Sequence, residues 1–242
     1  MRNKKLQGFD LERSIIHLLL LHSSLLSDIG LYRGKTGLAI FFMYYYKLTN
    51  EILYEDVAGE LIDEIEEELH NKLPISFETG LSGIGWGMDY LIQKGFVEGD
   101  SKEVCEEIDR KIMETDPRRI TDYSFNMGIG GILLYVLNHC KTVFEQHNEM
   151  PFDDCYLDDL YIACVNLCSK RELPEETLRL ADIYITSYIN KKVLDNTEWD
   201  ITMIMQGIPN LNEKFLSEYP LGLNGGLAGV LLEKKEIKEQ LV

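Results

Sequence analysis

No stretch of this 242-residue chain reaches about 18 uninterrupted apolar residues, so the sequence offers no helix that would span a bilayer. Basic residues are scarce: 24 Lys and Arg stand against 41 Asp and Glu, for a net charge of −17. Nucleic acid and anionic membrane surfaces both select basic faces, so neither is an expected partner. Cysteines are few and odd in number. Cys105, Cys140, Cys155, Cys164 and Cys168 form no regular framework, and the expectation is five small buried thiols in a reducing, cytoplasmic setting. No segment alternates convincingly with period two, so no sheet of consequence is expected. Nor is a cleavable export signal expected; the N-terminal apolar run is read as a core helix. Arg2, Lys4 and Lys5 precede the apolar run 15–21, but Asp10, Glu12 and Arg13 intervene and His17 interrupts it.

What is present is glycine, in a pattern. Fourteen of the 19 glycines fall in four windows: GLYRGKTG at 30–37, GLSGIGWG at 80–87, GIGG at 128–131 and GLNGGLAG at 222–229. Three windows carry a Gly-x-x-Gly pair before an apolar run, Gly34/Gly37, Gly128/Gly131 and Gly226/Gly229. With Gly83 as the marker of the second window, the steps are 49, 45 and 98 residues. The long step implies a further repeat, near residue 177, that keeps its length but not its glycines.

The segments after the glycines are apolar on all sides, as in 38–46 (LAIFFMYYY) and 132–137 (ILLYVL), and such helices are buried all round. The segments between are one-sided. Val57, Leu61, Ile65 and Leu69 form a stripe among Asp63, Glu64 and Glu66 to Glu68; Val104, Ile108 and Ile112 repeat it among Glu106, Glu107, Asp109 and Lys111, which are read as solvated. Each repeat therefore pairs an exposed helix with a buried one through a Gly-rich turn. The expected fold is all-α, an α/α toroid or incomplete toroid of about five helical hairpins, forming one domain over residues 1–242. Glycine at a helix start permits close backbone approach; bare amides there also suit anions or carbonyls. Gly34-Lys35-Thr36 is not a phosphate loop, because the glycine spacing is one residue short and a helix, not a strand, precedes it.

The segments SFETGLSGIGWGMDYL (76–91) and YPLGLNGGLAGVLLE (219–233) resemble those of the lanthionine synthetase C-like family. The resemblance implies an α/α toroid whose enzymes use one zinc ion to activate a substrate thiol for addition to dehydrated Ser or Thr. It implies zinc ligands in Trp-Cys-x-Gly and Cys-His-Gly motifs, and neither string occurs here. The nearest approach is His139-Cys140, in reversed order within a helix. Cys164, Cys168 and His139 would be a rebuilt set, but zinc needs at least three well-placed ligands. No family catalytic residue carries over, and no cofactor is expected.

The polar residues expected to line a common cavity rim are Arg33, Lys35, Glu78, Trp86, Asp89, Asp122, Tyr123, Asn126 and Asn224. Thr79, Asp122 and Asn126 are also read as helix caps. Asp89 stands out inside an apolar run and requires a partner such as Arg33 or a raised pKa. The expected function is binding, or helping to modify, a peptide or protein substrate without zinc, and catalysis is left undecided. Two alternatives stay open: a carbohydrate-active enzyme using rim carboxylates, and a non-catalytic scaffold. Five hairpins leave a seam that a second copy or a partner would cover.

Overall fold

The computed structural model describes residues 2–69, 72–170, 173–191, 200–205, 207 and 209–233, and the side chains of all of these except 2–10 and 213. The described α-helices are α1 (Arg2–His22), α2 (Lys35–Thr49), α3 (Ile52–Glu68), α4 (Leu81–Gln93), α5 (Ser101–Met113), α6 (Ile129–His147), α7 (Asp154–Cys168), α8 (Glu175–Asn190) and α9 (Leu227–Leu232). Among the described residues there is no strand. Their contacts gather into two compact units: Met1–Leu69 with Asp200–Val242, and His70–Trp199.

In the first unit α2 packs on α3, and α9 packs on α1 and α2. Every residue of α2 from Lys35 to Tyr45 is buried, as its unbroken apolar run requires. Helix α3 buries one side only, through Tyr54, Ala58, Leu61 and Ile65. Tyr54 meets Phe42 and Tyr45 of α2, with ring centroids 6.3 and 4.7 Å apart.

In the second unit α6 packs against both α4 and α8; α5 lies on α4 and α6, and α7 lies on α8. Helix α4 is buried from Leu81 to Leu91. The repeat without glycines is in place: α8 begins at Glu175 and buries Thr177, Leu180, Ala181 and Tyr184. Helices buried on all sides over their N-terminal part and one-sided helices thus alternate from α2 to α7, which is the hairpin construction of the α/α-toroid class, whereas α8, without glycines, is one-sided like α7.

The glycine windows share one turn geometry. The N-caps of α2, α4, α6 and α9 are Gly34, Gly80, Gly128 and Gly226, all with extended backbone and no side-chain cap. In each turn the next amide donates to the carbonyl seven residues back: Lys35 to Asp28, Leu81 to Pro74, Ile129 to Asp122 and Leu227 to Pro220, at 2.8–3.0 Å. The loop doubles back so tightly that a Cβ on Gly80 would stand 2.1 Å from the Pro74 carbonyl oxygen. This explains the glycines, and it alters two expectations. The second window is in register, with Gly80/Gly83 as its pair, so the N-cap steps are 46, 48 and 98. The first helical amide is engaged by the chain's own carbonyl and is not bare. Nor do Thr79, Asp122 and Asn126 serve as helix caps, since glycine holds that position in both helices.

Adjacent turns are stitched together. The Phe77 and Glu78 amides both donate to the Asn126 carbonyl, at 2.9 and 3.0 Å. Thr177 donates to the Tyr123 carbonyl at 2.9 Å. In the first unit the Asn224 amide donates to the Tyr32 carbonyl at 3.0 Å, so the last turn rests on the first.

Candidate functional site

Most of the expected rim residues are committed to this turn architecture. Asp122 accepts from the Ser124 amide at 2.8 Å, and hydrogen bonds from Ser124 hold its carboxyl below the usual range. Tyr123 carries the Lys170 ammonium over its ring, 4.0 Å from the centroid. Asn126 receives the Phe77 and Glu78 amides, which brings Glu78 beside it. Asn224 donates to the Ile204 carbonyl at 2.9 Å. Arg33 is exposed on the first turn.

The other three lie inside the protein and not on a rim. Lys35, only 3 % exposed, reaches Glu64 at 3.0 Å and also pairs with Glu68. Burial opposes its charge, but the two carboxylates outweigh burial and hold its pKa up. Trp86 is buried against Phe77 and Tyr90, and its indole N–H has no acceptor among the described residues. Asp89 is fully buried and lies at the centre of a polar cluster linking α4, α5 and α6.

In that cluster His139 of α6 lies between two carboxylates. Its Nδ1 lies 2.9 and 3.1 Å from the two oxygens of Asp89, and its Nε2 lies 2.9 Å from Asp109 Oδ2. Both nitrogens face acceptors, so both carry protons and the ring is an imidazolium. Burial alone would push His139 down, but Asp89 and Asp109 hold it up at about 10. Burial pushes the Asp109 carboxyl up, against the hydrogen bonds from His139 and Tyr135.

The remaining lone pairs are also engaged. Ser101 Oγ donates to Asp89 Oδ1, Asn138 Nδ2 to Asp89 Oδ2 at 3.4 Å, and Tyr135 Oη to Asp109 Oδ1 at 2.6 Å. The Tyr135 ring stacks on His139, with centroids 5.2 Å apart, and Phe152 covers both edge-on. Gly85 makes room for this arrangement, since a Cβ there would stand 2.5 Å from the Tyr135 ring. Cys105 completes the cluster, its Sγ 3.9 Å from the Gly85 carbonyl. Burial, with Asp89 and Asp109 nearby, pushes its thiol well up.

Asp89 is recognisable in the sequence as a carboxylate out of place, but its partner is His139 and not the exposed Arg33. Asp109, expected to face solvent, instead falls on the same face of α5 as Cys105 and is buried with it. A histidine inside a helix as apolar as α6 is the available signal that a counter-charge must be close.

The model of the lanthionine synthetase C-like protein family matches residues 27–160, more than half of the chain. The chain belongs to the lanthionine synthetase C-like family. The matched region holds the first three glycine turns and every member of the buried cluster. No curated protein matches the chain.

The zinc set implied for this family, two cysteines and a histidine, does not fit the described residues of this lanthionine synthetase C-like chain. Cys164 is buried on α7 while Cys168 is exposed, and His139 is engaged with Asp89 and Asp109. Cys155 is also exposed and Cys140 is half-buried, so of the five thiols expected to be buried only Cys105 and Cys164 are fully so; the two exposed ones fall on the solvent side of α7. The described group that brings three potential ligands together is Asp89, Cys105 and His139, all buried. No substrate thiol can reach a group sealed to this degree.

Proposed function

We propose that this lanthionine synthetase C-like protein binds a peptide and assists its modification without activating the substrate thiol through zinc of its own. The observation that carries this reading is the state of His139: fully buried, with both ring nitrogens engaged, it offers no open position to a substrate. Family membership supports a peptide as the ligand class. Five free cysteines suit a reducing, cytoplasmic compartment.

The test uses the purified chain and a peptide that carries a cysteine and a dehydrated serine. Binding is followed by calorimetry and ring closure by mass spectrometry, with and without added zinc. Binding without any acceleration of ring closure is expected in both conditions. Zinc-dependent ring closure would overturn the reading, and so would a failure to bind such peptides at all.

A further inference from the structure

The hydrogen bonds described above account for the cluster in its protonated form. Its donor types also fit an ion. A carboxylate oxygen of Asp89, Cys105 Sγ and a ring nitrogen of His139 all lie within 4.8 Å of one another, and all three residues are buried. Zinc and related thiophilic cations take carboxylate, thiolate and imidazole at about 2.0–2.3 Å. The other histidine nitrogen is already placed as a metal site needs it, with Nε2 2.9 Å from Asp109. A carboxylate on the far nitrogen fixes the tautomer and the ring direction of a metal-bound histidine. Tyr135 in turn holds Asp109 at 2.6 Å, so the supporting shell has its own support.

We propose that Asp89, Cys105 and His139, the last through Nδ1, form an internal site for one thiophilic divalent cation of the zinc class. Asp109 is the positioning residue behind His139. The charge balances without rearrangement. When the dication enters, one proton leaves His139 Nδ1 and one leaves the Cys105 thiol, so the net charge of the cluster is unchanged. Ser101 Oγ, which donates to Asp89, is a neutral oxygen in the same cluster. Such an ion joins α4, α5 and α6 and stabilises the fold by preferring the folded state. It is sealed from substrate, so the proposal is independent of the peptide reading above.

The test starts from metal-free full-length protein titrated with Zn²⁺ and, separately, with Co²⁺. Elemental analysis after gel filtration is expected to give one zinc per chain. Co²⁺ is expected to give the near-ultraviolet charge-transfer band of a thiolate ligand, and zinc to raise the unfolding midpoint. Cys105→Ser, checked for folding by circular dichroism, is expected to lose the band and the midpoint shift. Cys155→Ser and Cys168→Ser, at exposed thiols, are expected to keep both. Absence of bound metal in the unaltered protein would overturn the proposal. So would a cobalt band that survives Cys105→Ser or disappears with Cys155→Ser or Cys168→Ser. Peptide binding and ring closure are read separately, so failure of one proposal leaves the other standing.

Discussion

His139 Nε2 and Asp109 Oδ2 stand 2.9 Å apart in the interior of the second unit, and they join the inner helix α6 to the one-sided helix α5. With Asp89 on the opposite nitrogen, the pair is half of a charged bridge across three helices. Removing one member of a buried ion pair leaves an uncompensated charge, which costs about 3–5 kcal/mol. His139→Gln is therefore expected to lower the unfolding free energy by that amount. Urea unfolding followed by circular dichroism measures it, and a loss below about 1 kcal/mol would show that the bridge does not support the fold.

The same bridge sets a pH dependence. In the metal-free protein, the groups facing His139 are Asp89 on α4, Asp109 and Cys105 on α5 and Tyr135 on α6, with Cys140 and Tyr156 nearby. The folded state holds the His139 proton up to about pH 10, against an ordinary value of 6.5. The raised Asp109 carboxyl acts in the same direction. The folded state thus binds more protons than the unfolded one, and stability falls as pH rises. The His139 contribution is complete below about pH 6.5 and disappears through about pH 10. Urea midpoints measured between these limits are expected to decrease steadily, and a flat profile in the unaltered protein would contradict the imidazolium assignment.

Two glycines provide opposite substitutions. Gly59 lies within α3, and a Cβ there would meet nothing within 4 Å, so Gly59→Ala is expected to stabilise by about 0.5–1 kcal/mol. At Gly80 a Cβ would press on the Pro74 carbonyl, so Gly80→Ala is expected to destabilise by about 1–3 kcal/mol. Thermal unfolding of the two variants side by side tests this, and equal midpoints would count against the turn geometry.

The buried Lys35 ammonium supports the first unit. Its partners Glu64 and Glu68 are 35 % and 44 % exposed, so the pair is screened on one side. Lys35→Met is expected to cost about 1–2 kcal/mol, less than the loss at His139. A double-mutant cycle with Glu68→Gln measures the coupling, and a value near zero would place the cost in packing alone.

The periodic features are legible in the sequence, and the cross-chain ones are not. The alternation of all-round and one-sided helices follows from the apolar pattern of 38–46 against that of 57–69, and the position of α8 is implied by spacing, although α8 buries one side only. The frame of the second window is ambiguous because Gly80, Gly83, Gly85 and Gly87 all compete as markers, and only the carbonyl reaching back from Pro74 singles out Gly80. The cluster is half legible. Asp89 is conspicuous in an apolar run, whereas Asp109 sits in a charged helix where one buried acid looks like its exposed neighbours. Pairing across 30 and 50 residues depends on how α4, α5 and α6 pack, which no local pattern encodes.

The contact of the last glycine turn with the first has a consequence for synthesis on the ribosome. The second unit, His70–Trp199, is continuous in sequence, whereas the first is assembled from two separated segments, with Leu223 beside Gly37 and α9 against α1 and α2. The segment made first is therefore completed last. Until α9 is released, the surface of α1 and α2 that it covers lacks that partner.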